Sequence, residues 1–440
     1  MYSNFGRSYA HTKLSSPRRS FSAGRLLLLV AACCCFKAAL AADQRVPLTI
    51  FEAGDIALRS EPGQNELEAR AAALQEQAVA AEQLPDPTLR LGLANFPIQS
   101  GGFSTEGMTQ AQLGFRQAFP RSRLRSMNAL QYQALADVQV NLADARAIDV
   151  LEATRAAWLD VFYWQRTEEV LRESRPLFGN LLRITESMYA VGRKDQSDVL
   201  RAELELRRLD DRLIEAARAR AAAQGALSQW LGDEAFRPIA NKLPGWNEVP
   251  GFEVLRANLA MHPAMGAADA DIAARQAHVG VAEERGKPGW ALDFGYGYRE
   301  GYLPNGDPRS DFVSVAVVVD LPLFKKNRQD RDLAAALSER SAAVSGKQRV
   351  AADLRSQLSI EYSRWSELTR RMTLYEDDIL DLSASQAEAA MLAYQRDAGD
   401  FSDVMHGQID YLNTRLDFLR LQAERAQAYA ALANLGGLPR

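Results

Sequence analysis

Tyr189-Ala190-Val191-Gly192-Arg193-Lys194-Asp195-Gln196-Ser197-Asp198-Val199 is matched in the second half of the chain by Tyr394-Gln395-Arg396-Asp397-Ala398-Gly399-Asp400-Phe401-Ser402-Asp403-Val404. Each copy has a tyrosine at its head, a glycine in the turn and the closing string Asp-x-Ser-Asp-Val. Working outward from this pair, the whole chain repeats. Upstream of each turn lies a long helical pattern, holding Trp158 in one half and Tyr362 in the other. Before it come two alternating segments that end at Phe119-Pro120 and at Leu321-Pro322. Before those, Pro62 and Pro263 each open a shorter helical pattern. These end ahead of Leu84-Pro85-Asp86-Pro87 and of Gly286-Lys287-Pro288-Gly289. We read a duplicated unit, residues 42–241 and 242–440, with the joint near Lys242–Glu253.

The alternating segments carry the most local information. Residues 88–95 place Leu89, Leu91 and Leu93 on one face and Arg90, Gly92 and Ala94 on the other. Residues 109–119 set Leu113, Phe115 and Phe119 opposite Gln110, Gln112 and Arg116. Residues 290–299 set Trp290, Leu292, Phe294, Tyr296 and Tyr298 opposite Asp293 and Arg299. Residues 311–321 set Val313, Val315, Val317, Val319 and Leu321 opposite Ser314 and Asp320. A period of two makes one apolar and one polar face. A half-buried sheet under helices would show the same alternation. In an exported chain, strands of about ten residues with a small, polar second face fit a tilted membrane strand and a water-filled lumen. Leu91, Phe115, Phe294, Tyr296, Val315 and Val317 are then expected to face lipid. Arg90, Arg116, Asp293 and Arg299 are expected to face the lumen, where both signs of charge imply no strong ion preference. Four strands cannot close a barrel, because an open edge in lipid leaves backbone groups unpaired. Three copies would supply twelve. The loops Pro97–Gly107 and Glu300–Ser310 hold the turn residues Gly101-Gly102 and Pro304-Asn305-Gly306-Asp307.

Export is read from the start of the chain. Arg18, Arg19 and Arg25 precede an apolar run from Leu26 to Phe36, then Lys37 and Ala39-Leu40-Ala41, the layout of a secretory leader over residues 1–41. The run is shorter than the roughly 20 residues a membrane helix needs. All three cysteines lie inside it, as Cys33, Cys34 and Cys35. Val30-Ala31-Ala32-Cys33 also fits acylation of Cys33. Cleavage after Ala41 and lipidation at Cys33 are the two alternatives. Losing residues 1–41 removes six positive charges and no negative ones, taking the net charge from −4 to −10. The 440-residue chain is 47% hydrophobic and 25% charged, which excludes general disorder and collagen-like repeats. Its mean hydropathy of −0.25 excludes a polytopic helical membrane protein. No basic excess points to nucleic acid.

Long helices are expected over 121–190 and 327–393, each roughly 100 Å at 1.5 Å per residue. Ile148, Leu151, Trp158, Phe162, Leu181, Ile184 and Met188 recur at helical spacing in the first, and Leu354, Leu358, Tyr362, Trp365 and Leu368 in the second. Pro176 is expected to kink or break the first. Helices 196–231 and 402–435 are about half as long, and those over Glu66–Leu84 and Ala264–Arg285 are shorter again. A short pair stacked end to end nearly matches one long helix, giving two antiparallel columns per repeat.

With these features in place, the chain resembles the TolC-type outer-membrane factor family over nearly its whole length. The carriers are the duplicated helix-strand-strand-helix order, the Pro120 and Pro322 joints and the paired Asp-x-Ser-Asp-Val turns. The string Leu84-Pro85-Asp86-Pro87-Thr88-Leu89-Arg90-Leu91-Gly92 with Phe119-Pro120-Arg121 looks like the heavy-metal, CzcC-like branch. The resemblance implies a mainly α fold with a small membrane β-barrel: a homotrimer with a 12-stranded barrel in the outer membrane of a Gram-negative bacterium and an α-helical coiled-coil tunnel through the periplasm. It further implies a periplasmic adaptor protein and an inner-membrane pump of the resistance-nodulation-division type as partners, and an equatorial region including Gly232–Gly251. The expected role is a passive duct exporting heavy-metal cations. Multidrug efflux, a type I protein-secretion duct or a soluble periplasmic coiled-coil scaffold are the alternatives.

Asp195, Asp198, Asp400 and Asp403 follow the two tight turns. Their ordinary role is to cap helix N-termini. Their functional reading is a carboxylate-lined entrance, where such rings favour cations, with Arg193, Lys194 and Arg396 available to pair with them and hold it shut. The resemblance places adaptor contacts at Val191, Gly192, Ala398 and Gly399, with Arg193 departing from the usual small or apolar residue. Catalysis has no support: His262, His278 and His406 are scattered, and no metal spacing, nucleophile elbow or phosphate loop is present. Met405-His406 reads as ordinary packing and surface. No cofactor is expected.

Overall fold

The computed structural model describes residues 46–121, 123–396 and 398–436. The leader and Cys33 lie outside the described residues. Chain order runs α1 (Ile50–Arg59), α2 (Pro62–Glu82), β1 (Thr88–Ala94), β2 (Gln110–Phe119), α3 (Leu124–Ala190) and α4 (Gln196–Leu231). A 3-10 turn and a linker lead to α5 (Phe252–Asn258), α6 (Pro263–Arg285), β3 (Trp290–Tyr298), β4 (Phe312–Val319), α7 (Gln329–Leu374), α8 (Leu380–Gln395) and α9 (Phe401–Gly436). Proline at the first helical position starts both α2 and α6, where its missing N–H costs nothing. Glu61 and His262 occupy the matching N-cap positions, each accepting a backbone N–H. The repeat reaches further back than the prolines: α1 and α5, which hydropathy patterning left unread, begin around Phe51-Glu52 and Phe252-Glu253.

Pro176 lies inside α3 without ending it, so the break allowed from sequence does not occur. The second repeat has its irregularity at nearly the same level: a π-helical turn over Tyr375–Ile379 joins α7 to α8. The stretch from Tyr362 to Tyr394 is one residue longer than that from Trp158 to Tyr189. A single-turn π bulge absorbs such an insertion without rotating the rest of the helix.

The helices pack as overlapping rows. α2 and α4 both lie along α3, α6 and α9 both lie against α3 on one hand and α7 on the other, and α9 continues onto α8. α2 and α4 therefore stand at one end of each row, and α7 and α8 at the other. The largest core sits where α1, α3, α4, α7 and α9 meet. There Trp158 is fully buried, and its Nε1 donates to the Leu48 carbonyl at 3.1 Å. Leu48 bridges in parallel to Ile239, and Trp246 stacks on Tyr429, so the 232–251 linker is pinned at mid-height on the bundle. A second core, with Leu181, Leu209, Tyr394, Phe401 and Val404, runs towards the two turns.

Candidate functional site

Two regions gather the residues singled out from sequence: the sheet and the paired turns. The sheet has the order β1-β2-β3-β4, antiparallel throughout, so the central β2–β3 pairing joins the two repeats. Register sorts the side chains into rows. Leu89, Phe115, Phe294 and Val315 form one row, and Leu91, Leu113, Tyr296 and Val313 the next. This face is bare: Leu91 is 74% exposed, Val315 66% and Phe294 47%. Among the described residues no helix covers it, unlike the half-buried sheet that the same alternation could have meant. The rows on the other face are Arg90-Gly114-Gly295-Ser314, Thr88-Arg116-Asp293-Ala316 and Gly92-Gln112-Gly297-Phe312. Here glycines make room for longer neighbours. A Cβ on Gly114 would lie 3.5 Å from Arg90 Cβ, and one on Gly297 would collide with the Gln110 amide.

The structure brings Arg116 and Asp293 together as cross-strand neighbours, with Arg116 Nε 3.5 Å from Asp293 Oδ1. Arg299 lies one residue past the end of β3. Its side chain donates to the carbonyls of Ser310 and Gly107, and its guanidinium lies 3.9 Å from the centre of the Phe312 ring. Arg309, which sequence patterning did not single out, donates to the carbonyls of Ser104, Glu106 and Glu300. The two arginines tie both loops into one cap at that end of the sheet. No hydropathy pattern marks such a role, because the acceptors are backbone groups.

At the opposite end, Val191 follows α3 with 68% of its surface exposed, and Gly192 turns the chain at φ +71°. The Arg193 N–H returns to the Met188 carbonyl at 3.0 Å, closing the helix end. Ala398 N–H does the same at Ala393, 2.9 Å away, at the second turn. Asp195 occupies the N-cap position of α4, but its side chain makes no capping hydrogen bond; its backbone carbonyl accepts from Asp198 N–H. Asp400 accepts from Asp403 N–H in the same way. Among the described residues, Lys194 and Arg396 form no ion pair with the four carboxylates. Lys194 Nζ instead lies 4.8 Å from the centre of the Tyr394 ring, and that ring packs on Phe401. The two turns are thus adjacent. Tyr394 is 1% exposed, whereas its repeat partner Tyr189 is 48% exposed.

Among the described residues no group of histidines, cysteines and carboxylates could hold a metal ion. No helix there is long and apolar enough to cross a membrane, which leaves a strand-built passage untouched.

The family model described as outer membrane efflux protein matches residues 254–438. Curated protein sequences yield no match. Among solved structures, that of CusC, reported for conformational changes accompanying folding and transmembrane channel formation, is similar with a TM-score of 0.76 and 14% identity, covering 89% of this chain and 92% of that one. The outer membrane protein VceC of Vibrio cholerae has a TM-score of 0.72 and 16% identity, covering 88% and 96%. The open-state outer membrane channel MtrE of Neisseria gonorrhoeae has a TM-score of 0.68 and 16% identity, covering 88% of each. The chain therefore has the fold of outer-membrane channels over most of its length, and its residues 254–438 match the outer membrane efflux protein family.

Proposed function

We propose that the chain is one third of a passive exit duct in the outer membrane of a Gram-negative bacterium. The observation that carries this is the sheet, which among the described residues is apolar and uncovered on one face, small and polar on the other, and edged by β1 and β4. An uncovered apolar face marks a contact with lipid or a partner, and lipid requires closure of the edges. The open ends of the helix rows fall in the same chain order: α2 and α4 beside the β1 side, α7 and α8 beside the β4 side. Joining one side to the other is head-to-tail association, which closes into a ring. Tyr189 fits the same account. Its repeat partner Tyr394 is buried by a neighbouring turn, so Tyr189 awaits that cover from a second copy. Three copies give twelve strands over a helical tunnel.

In this reading the energy comes from an inner-membrane pump of the resistance-nodulation-division type, coupled through a periplasmic adaptor at Val191, Gly192, Ala398 and Gly399. Asp195, Asp198, Asp400 and Asp403 line the periplasmic entrance. The function is efflux, and the motif resemblance at Leu84–Gly92 and Phe119–Arg121 supports heavy-metal cargo. The test is to purify the mature chain in detergent, measure its mass and add it to planar bilayers. A mass of three copies with stepwise currents is expected. A monomer stable in detergent-free buffer would overturn the proposal.

A further inference from the structure

We propose that the barrel wall favours anions over cations and that Arg90 sets this preference. The inference rests on the closed ring proposed above. Arg90, Arg116 and Asp293 are the only Arg, Lys, Asp or Glu residues in the four strands, and all three sit on the polar face. From sequence their mixed signs cancel in part and predict nothing. Register changes that. Arg116 and Asp293 are direct neighbours on β2 and β3, 3.5 Å apart, and neutralise each other locally. Arg90 lies on the outer strand β1 and has no ion-pair partner among the described residues. Its row continues through Gly114, Gly295 and Ser314, flanked on one side by Gly92, Gln112, Gly297 and Phe312 and on the other by Thr88, Arg116, Asp293 and Ala316; the one acidic group in these rows, Asp293, stands two strands away and is paired with Arg116. The glycines keep space above the wall, and Gln110, Gln112 and Ser314 add neutral dipoles only.

Within its four strands each copy thus contributes one uncompensated positive charge, and three copies form a ring. Twelve strands about 4.8 Å apart, tilted about 40°, close to a radius of roughly 12 Å. Arginine arms reach inward from that wall, so most of the lumen lies within about 10 Å of a guanidinium, one Debye length at 0.1 M salt. Rings of arginine favour anions in a pore. An anionic solute, or a metal carried as an oxyanion or an anionic complex, passes this section more readily than a bare divalent cation.

Planar-bilayer recordings of the full mature chain under a potassium chloride gradient test this, with chloride and potassium as the probes. Arg90→Gln is expected to lower the chloride-to-potassium permeability ratio at least about threefold, and Arg90→Lys to leave it near the parent value. Asp293→Asn, which releases Arg116, is expected to raise it. The periplasmic entrance is common to all these proteins, so differences between variants report the barrel wall. An unchanged ratio in a conducting Arg90→Gln channel overturns the inference while the duct stands. Absence of any current from the parent protein overturns both.

Discussion

Val315 stands mid-strand in β4, opposite Phe294, with 66% of its surface exposed. Val315→Lys asks what that surface touches. In water, a surface valine replaced by lysine changes stability by no more than about 0.5 kcal/mol. On the lipid face of a barrel, lysine near the midplane costs about 2–4 kcal/mol. Taking about 3 kcal/mol per copy, the folded-to-unfolded ratio falls by a factor of about 150 for each copy. The neighbouring Ser314 points to the other face, over Gly295, so Ser314→Lys is the matched control, expected to cost under about 1 kcal/mol. Urea titration of the mature protein in phospholipid vesicles, followed by tryptophan emission from Trp290 and its fellows, reads both. Equal midpoints for Val315→Lys and the parent, or a Val315→Lys protein that is folded and soluble without lipid, would refute the assignment of this face to the membrane.

Three further expectations concern the helical body. Gly192→Ala places a Cβ in open space at φ +71°, so its cost is purely conformational, about 1–2 kcal/mol; a neutral urea midpoint would contradict the turn geometry. Leu358→Ala empties a fully buried position in the main core and should cost about 2–5 kcal/mol by the same titration, a loss below 1 kcal/mol arguing against that packing. His262 Nδ1 accepts the Ala264 N–H at the start of α6, and burial holds its pKa below the ordinary 6.5 although Asp149 and Glu152 pull it up. The unfolded chain then binds the proton more readily than the folded one. The His262 contribution is present above about pH 6.5 and lost as pH falls below it. Asparagine caps without titrating, so His262→Asn should flatten the slope of stability between pH 7 and 5; an unchanged slope would remove His262 as its source.

The strands were legible residue by residue, because a period of two is written into the chain and needs no partner to be seen. All four lie where alternation put them, within two residues at each end. The long helices were equally plain, having almost no breakers, and the string Asp-x-Ser-Asp-Val located both turns. Less legible were α1 and α5, too short for periodicity to separate from loop. The fate of Pro176 also escaped, since a helix flanked by packed neighbours tolerates what an isolated one would not. The π turn at Tyr375–Ile379 was visible only as one surplus residue between matched tyrosines.

Sequence by itself located the two matching turns, the strand and helix spans and the apolar side of each strand, since each follows from residues close along the chain. Tertiary structure alone decided that β2 pairs with β3, that Arg116 meets Asp293 while Arg90 is left over, that Arg299 and Arg309 spend themselves on loop carbonyls, and that Tyr394 is covered while Tyr189 is not. These outcomes turn on which distant residues share a register or an interface. Charge cancellation and burial are properties of such pairs, and a linear pattern holds only one member of each at a time.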